Sequence, residues 1–421
     1  MKIATLPAGL AFRILGAFGF GFFLSMFTRA SANMLKLPIQ HDLGLSEAGL
    51  GFALGTSFFI AFGLAQLPIG VLLDRYDPRR VNAVMLLVAA TGTVIFAFAH
   101  SGAQLAVGRV LMGMGFGACM MAALKTYFLW FPGPTLPTVN GIQFAVGFVG
   151  AISATKPTEW ALRVTDWRGI NLALAALAVV AAAVLVTVAP KHVAPHSGET
   201  LRDQIRGIGK VYGDGYFWRT TPLAFISIGI SQGLGTMYVV SWLRSVGGMS
   251  EHAAANVIAI SASVSIVNYL LVGKVMEWLG RRGVGVMTVP WTGISISMTA
   301  LLMLTLQLPF AGAAVWIAWQ LSIGWASLTV AVLARNYPPH MAGRVYTGFN
   351  QMSFLFTAFI QWMVGWLLDL YPRTAAGAAP EGYRLAFAAV LGIQVLGALW
   401  TVAAHVLRIG RRSMLERETH V

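Results

Sequence analysis

The sequence predicts an all-α protein that crosses a membrane many times. Of its 421 residues, 57% are hydrophobic and only 10% are charged. The apolar residues fall in runs of about 20, the length at which a helix spans the hydrocarbon core of a bilayer. Such runs form helices because lipid offers no partner to an open backbone group. Composition and run length together exclude an ordinary soluble domain.

Twelve apolar runs can be placed along the chain, and each is predicted to be one transmembrane helix. They cover residues 12–34, 48–73, 82–100, 105–130, 138–160, 170–189, 221–243, 253–276, 284–306, 312–334, 345–369 and 384–407. The longest polar segment follows the sixth run. We therefore predict a six-helix bundle over 1–189, a cytoplasmic linker over 190–219, and a second six-helix bundle with a cytoplasmic tail over 220–421.

A short charged block occurs twice, about half the chain apart, each time at the end of an apolar run. The first block contains Gly70, Asp74, Arg75, Arg79 and Arg80, and the second contains Gly273, Glu277, Trp278, Arg281 and Arg282. This repeat indicates two bundles related by internal symmetry. In membrane proteins of that architecture, a small-molecule site forms between the halves near the bilayer midplane.

The positive charges are distributed unevenly between the two membrane faces. Because an even number of spans puts both termini on one side, 19 of the 29 Lys and Arg residues fall on that side, six on the other, and four inside spans. The six outer residues are Lys36, Arg163, Arg168, Arg244, Arg373 and Arg384. The positive-inside rule then makes both termini cytoplasmic, in a bacterial inner membrane. The net charge of +14 therefore reports topology and attraction to anionic lipid, and no nucleic-acid partner is expected.

The chain resembles the major facilitator superfamily over essentially its whole length. The first charged block is similar to that family's loop between helices two and three. That loop reads Gly-x-x-x-Asp-Arg-x-Gly-Arg-Arg or close to it. Gly70, Asp74, Arg75, Arg79 and Arg80 fit this pattern, and the chain departs from it at Asp77, where the family usually has Gly. The second block departs at Glu277 and Trp278. The run Arg109-x-x-x-Gly113-x-Gly115-x-Gly117 looks like the family's second motif. Phe23-Leu24-Ser25-x-Phe27-x-Arg29 resembles the first helix of a broad bacterial subgroup.

The charged blocks are predicted to form a conformational latch. Asp74 at a helix end can hold cytoplasmic arginines and the N-terminus of a neighbouring helix, which would favour one access state. The latch residues are Gly70, Asp74, Arg75, Arg79, Arg80, Glu277, Arg281 and Arg282. In the compatible alternative, the arginines merely fix the topology.

Four cations lie inside predicted spans, where ionisable groups usually face a partner or an aqueous cavity. They are Arg29, Arg109, Lys125 and Lys156, and Glu159 is the clearly intramembrane carboxylate. This cationic excess suits an anionic substrate. Arg29 and Lys125 have no obvious local partner and are predicted to bind it.

The other two cations have alternatives. Lys156 is either a substrate ligand or the ion-pair partner of Glu159 three residues on. Arg109 either contacts the backbone or Glu159, or takes part in transport. Glu159 is also a candidate proton carrier, and exchange of one anion for another would need no proton.

The second half supplies polar and aromatic groups instead of charges. The predicted substrate-binding residues there are Gln232, Tyr238, Trp319, Gln320 and Asn350. They could grip the organic body of a substrate. Aromatic residues also fill helix bundles and anchor at interfaces, so packing is the alternative for each of them.

These observations predict a secondary transporter that moves a small, carboxylate-like organic anion by alternating access. We expect a monomer in the lipid bilayer with a small-molecule substrate. No cofactor, metal site or enzymatic activity is expected, because nucleophile, phosphate-loop and metal-ligand motifs are missing from the sequence. The alternatives are an exporter or a copper-like metal transporter of the same fold, suggested by Met112, Met114, Cys119, Met120 and Met121, and a sensor or assembly factor that moves nothing.

Overall fold

The computed structural model describes residues 6–132, 135–191, 201–285, 287–308, 312–326, 328–329, 333, 336–338, 341–374 and 377–410. Nearly all of these residues lie in α-helices. The chain divides into two compact units, Met1–Leu201 and Arg202–Val421.

The first unit consists of long helices joined by short turns. They are α1 (Ala8–Leu43), α2 (Glu47–Arg75), α3 (Pro78–Ala97), α4 (Gly102–Trp130), α5 (Leu136–Ser153), α6 (Lys156–Ala161) and α7 (Trp167–Val188). Residues Gly51–Thr56 of α2 are π-helical. Helix α3 packs against α4 and α7, and α1 packs against α4, α5 and α7.

The second unit begins near α8 and has one small antiparallel strand pair. Its helices are α8 (Leu201–Tyr212), α9 (Gly215–Thr220), α10 (Pro222–Met237), α11 (Val239–Ser245), α12 (Glu251–Arg281), α13 (Thr288–Leu306), α14 (Ala313–Ala326), α15 (Ala342–Leu368) and α16 (Pro380–Val406). Strands β1 (Arg373–Thr374) and β2 (Gly377–Ala378) form a hairpin between α15 and α16. Helices α8 and α9 occupy part of the segment predicted as a polar linker, and residues 192–200 of that segment lie outside the described residues.

Every predicted span overlaps a helix or a helix pair. In the described part of the chain, nine helices are long and apolar enough to cross a membrane. Helices α10 and α11, which are bent by 64° relative to each other, make a tenth if the pair is counted as one span. The all-α membrane fold is confirmed, whereas the count of twelve spans stays a prediction. Helix α1 runs nine residues past the predicted span end at 34. Lys36, which the sequence placed beyond the span, therefore still lies in this helix.

Glycines on α4 allow two neighbouring helices to approach it. A Cβ on Gly113 would lie 2.3 Å from the carbonyl oxygen of Phe58 on α2, and a Cβ on Gly115 would lie 2.4 Å from that of Met85 on α3. Both distances are below any real contact, so only glycine fits. Small residues at such positions let helix backbones pack closely in membranes. The glycine-rich run therefore holds α4 between α2 and α3.

Capped helix ends fix the turns between these helices. Ser46 accepts a hydrogen bond from the Gly49 amide at 3.0 Å, which caps the N-terminus of α2. Helix α1 ends at Gly44, whose φ of 61° is left-handed and suits glycine. These two caps lie between α1 and α2, and so they set how the adjoining ends of the two helices face each other.

Candidate functional site

Arg29 lies in the middle of α1 and is half-buried. Its guanidinium carbon is 4.2 Å from the centre of the Phe62 ring on α2, a cation–π contact. Asn33, Lys36 and Gln40 follow on the same helix at spacings of four, three and four residues, and all three are buried. These spacings place all four side chains on one helix face, so α1 carries a polar stripe through the first unit.

Arg109 on α4 is only 2% exposed. Its Nη1 donates to the Thr28 carbonyl oxygen at 3.4 Å, and its guanidinium carbon lies 4.9 Å from the Phe96 ring and 5.9 Å from the Phe58 ring. The backbone contact is one of the two structural alternatives that the sequence left open. Among the described residues, Arg109 forms no ion pair with a carboxylate.

The two arginines are linked through aromatic rings. Phe58 and Phe62 are stacked, with centroids 5.9 Å apart. Arg109 faces the first ring and Arg29 faces the second. Two guanidinium groups thus occupy the interior of one unit on either side of a phenylalanine pair. The electron-rich ring faces partly stabilise both cations where water is scarce.

Lys125 has a partner that the sequence did not reveal. Its Nζ lies 2.7 Å from Oδ1 of Asp74, with 31% of the lysine and 24% of the aspartate side chain exposed. Lys125 has no obvious local partner in the sequence, and the end of α2 brings a distant carboxylate to it. Asp74 thus pairs with a lysine of α4, a contact that the expected latch did not include.

The arginines of the first charged block have different surroundings. Arg79 is buried, pairs with Asp77 at 2.6 Å, and donates from Nη1 to the carbonyl oxygens of Val186 and Ala189 at the end of α7. Those carbonyls have no partner within their own helix. A cation at this C-terminal end also interacts favourably with the helix dipole. Arg75 and Arg80 are exposed, and Gly70 is half-buried.

The second charged block lies at the end of α12. Arg281 and Arg282 are exposed, and the guanidinium carbon of Arg282 lies 3.9 Å from the Trp278 ring centre. The side chains of Gly273, Lys274 and Glu277 lie outside the described residues. The latch role of both blocks remains a prediction.

Lys156 and Glu159 both lie on the short helix α6. The described ion pair of Glu159 is with Arg163, one turn later, at 3.1 Å. Lys156 is half-buried. Glu159 thus pairs with Arg163, and the binding role of Lys156 stays a prediction.

Lys36 and Glu47 form a buried ion pair that sequence reasoning missed. Lys36 Nζ lies 2.6 Å from Glu47 Oε2, with 1% and 3% of the side chains exposed. Gln40 Nε2 donates to Glu47 Oε1 at 2.9 Å. Sequence reasoning placed Lys36 beyond the first span and counted Glu159 as the clearly intramembrane carboxylate, and so it did not reveal this pair. The two residues meet because α1 continues to Leu43 and carries its polar face onto the first turn of α2.

The predicted residues of the second unit lie mainly in packing contacts. Tyr238 is buried and its hydroxyl donates to the Gln361 carbonyl oxygen at 2.7 Å. Trp319 is buried against Trp316, with ring centroids 5.1 Å apart. Gln320 is half-buried and accepts a hydrogen bond from Ser231 Oγ at 3.1 Å. For Tyr238 and Trp319, the packing alternative matches the observed burial.

Two further predicted residues are half-buried. Gln232 lies on α10, where its carbonyl oxygen accepts a bond from the Thr236 hydroxyl at 2.6 Å. Asn350 lies on α15. Their side chains are therefore more accessible than those of Tyr238 and Trp319.

Several solved structures share this fold. A bacterial homologue of the human lysosomal transporter Spinster, in an inward-facing and unoccupied conformation, superposes with a TM-score of 0.77 over 95% of this chain and 98% of that one, at 18% identity. A D-xylose–proton symporter gives 0.72 over 93% and 97%, at 15% identity. At these identities the likeness concerns the fold alone.

Two relatives have names that indicate anions. The nitrate/nitrite transporter NrtP of Picosynechococcus sp. is 35% identical over 33% of this chain and 26% of its own length. The protein named “Probable sulfoacetate transporter SauU” of Cupriavidus necator is 22% identical over 80% of this chain and 83% of its own length. The chain thus aligns with about a quarter of the first relative and most of the second.

The family model of the Major Facilitator Superfamily matches residues 18–361. That range includes the first charged block, the glycine-rich α4 and most of the second unit. The match, the apolar helices and the transporter-named relatives identify a multi-pass membrane protein that moves a small molecule, and not an enzyme. The chain belongs to the Major Facilitator Superfamily and is a secondary transporter.

Proposed function

We propose that this transporter moves a small organic anion and that Arg29 contacts it. The observation that carries the proposal is the pair of guanidinium groups on the Phe58–Phe62 stack. A buried cation is costly unless a negative charge or dipole compensates it. The described carboxylate that is most buried in this unit, Glu47, is already neutralised by Lys36. Two guanidinium groups on one stacked ring pair give this interior a positive field, which favours an anion.

Arg29 is the better ligand of the two arginines. It is half-buried, whereas Arg109 is almost fully buried and donates to a backbone carbonyl. The planar guanidinium can bind a carboxylate through two parallel hydrogen bonds. In this proposal Arg109 does not contact the substrate. It contributes to the positive field around Arg29, and its hydrogen bond to Thr28 joins α4 to α1.

Lys125 has a different role in this proposal. Because its charge is matched by Asp74 in this conformation, it belongs to the cytoplasmic latch and contributes to substrate binding only when that pair opens. The names of the nitrate/nitrite and sulfoacetate relatives support an acid anion. Lys156, Gln232, Gln320 and Asn350 remain candidates for contacts to the rest of the substrate.

The transport cycle is proposed to be alternating access by two six-helix bundles of one monomer. The excess of Lys and Arg on one face supports an inner-membrane location with both termini cytoplasmic. The charged blocks at the ends of α2 and α12 would stabilise one access state.

A ligand panel and a flux assay test the proposal. Nitrate, sulfoacetate, L-galactonate and D-xylose would be added to the purified transporter while its melting temperature is measured. An anion that binds the folded state should raise the melting temperature and should exchange across proteoliposomes that contain the transporter. Stabilisation by D-xylose alone, or an anion that binds without flux, would contradict an anion transporter.

A further inference from the structure

The Lys36–Glu47 pair lies at the outer end of the polar stripe on α1. Lys36 is seven residues beyond Arg29, which is two helical turns and about 10 Å along the axis. Both side chains lie on the same face. An anion that travels along this face therefore meets two cations, Lys36 and Arg29, and the first of them is bound to a carboxylate.

Glu47 is held in its charged form by two contacts and by its position. Lys36 and Gln40 contact its two oxygens at 2.6 and 2.9 Å. Glu47 is also the first residue of α2, where the helix dipole favours a negative charge. With 3% of its side chain exposed, water contributes little to its stabilisation. A buried carboxylate that loses its cation becomes costly unless it takes up a proton.

The charged groups around Glu47 come from two helices. The π-helical turn that follows Glu47 packs against α1 and α4. The ionisable groups in the outer halves of these helices are Lys36, His41 and Asp42 on α1 and Arg109 on α4. His41 and Asp42 are exposed, and Asp42 pairs with Arg168 of α7. Lys36 is thus a cation in direct contact with Glu47.

We propose that Glu47 is the proton-carrying group of this transporter, a step that rests on the anion transport proposed above. The incoming anion replaces the Glu47 carboxylate as the partner of Lys36. The displaced carboxylate takes one proton from the outer solution and forms an O–H bond. One anion and one proton thus enter together, and the charge inside the unit does not change. When the anion leaves, Glu47 loses the proton and pairs with Lys36 again.

This exchange predicts a measurable link between anion binding and protons. Each bound anion should be accompanied by about one proton. Anion affinity should therefore fall about tenfold for each unit by which pH rises, across the range in which Glu47 is ionised in the absence of ligand. Nitrate is a suitable probe because its own charge is constant over this range. Sulfoacetate serves as the second probe.

The experiment measures proton uptake with a pH-indicator dye in weakly buffered detergent solution. Nitrate or sulfoacetate is added to wild type, to Glu47→Gln, and to Asp42→Asn as the matched control, which removes an exposed carboxylate from the same end of α1. Wild type and Asp42→Asn should take up about one proton per bound anion. Glu47→Gln should bind with no uptake and with an affinity that no longer depends on pH.

Binding of anions by wild type with no proton uptake would overturn the inference. Wild-type proton uptake by Glu47→Gln would overturn it too. If neither anion binds wild type at all, the proposed anion transport fails together with this inference. If an anion binds without proton uptake, only this inference fails. If Glu47→Gln does not fold, the pH dependence of wild-type affinity decides alone, since a flat profile contradicts the coupling.

Discussion

Lys125 of α4 and Asp74 of α2 form a single ion pair, with 2.7 Å between Nζ and Oδ1. The sequence suggested separate roles for them, the lysine as a substrate ligand and the aspartate as part of a latch. The two residues are 51 positions apart in the sequence, and their contact joins α2 to α4. A change at either residue therefore alters the charge that the other one faces.

We expect the two residues to behave as a coupled pair. Asp74→Asn and Lys125→Gln should each shift the balance of access states, and the double variant should shift it no further than one single change does. The measurement is labelling of cysteines introduced at either face, with Cys119 as a buried background thiol. Because both groups are partly exposed, the loss of stability should be only about 1 kcal/mol or less. Additive effects on labelling would contradict the pairing.

Gly113 and Gly115 should tolerate no side chain. Gly113→Ala and Gly115→Ala place a Cβ 2.3 and 2.4 Å from a neighbouring backbone oxygen, so the helices must move apart. Overpacking of this kind destabilises by about 1–3 kcal/mol. Gly117→Ala is the matched control, because its Cβ would lie 3.6 Å from the nearest side-chain atom. Melting temperatures of the three variants in detergent check the prediction, and equal values would contradict it.

Arg79 should stabilise the first unit by holding the end of α7. Arg79→Ala removes charge-assisted hydrogen bonds to Val186 and Ala189, each worth about 1.5–3 kcal/mol when the donor is charged. The melting temperature should fall clearly. Arg80→Ala removes the neighbouring exposed arginine and should change it little. If both variants melt like wild type, the bonds to α7 do not contribute to stability.

Tyr212 should ionise only at strongly alkaline pH. Burial raises the pKa of its phenol to about 12, and its hydroxyl lies 3.0 Å from the Gly348 carbonyl oxygen. The unfolded value is about 10. The contribution of Tyr212 to stability is therefore complete below about pH 10 and is lost as pH rises through 12.

Phenolate absorbance during an alkaline titration checks this prediction. Tyr212→Phe should remove a step near the upper end of the titration. Tyr76→Phe, which removes an exposed tyrosine, is the control and should leave that step in place. A difference spectrum that puts Tyr212 near pH 10 would contradict the burial of its hydroxyl.

The helical architecture could be predicted because it depends on local sequence. Apolar runs determine where helices form in lipid, and the glycines of α4 mark its close contacts even before the neighbouring helices are known. The two charged blocks likewise identified the repeat. Arg29 and Arg109 were found because any cation within an apolar run is conspicuous.

Long-range partners could not be predicted from one sequence. Asp74 meets Lys125, and Arg79 meets carbonyls of α7 more than 100 residues away, contacts that periodicity does not reveal. Lys36 was assigned to the outer surface because hydropathy decreases near the end of its run. The four-three-four spacing from Arg29 to Gln40 was the available signal that α1 continues as a helix with one polar face.

The most direct test of the account is anion affinity when Arg29 is changed. Removing a hydrogen bond to a charged group is worth on the order of 1–3 kcal/mol, so Arg29→Gln should weaken nitrate or sulfoacetate binding about tenfold or more. Arg29→Lys should recover part of the affinity if charge suffices, and little if two parallel bonds are needed. Arg202→Gln, which removes an exposed arginine of α8, should bind like wild type. Wild-type anion affinity in a folded Arg29→Gln variant would contradict the account.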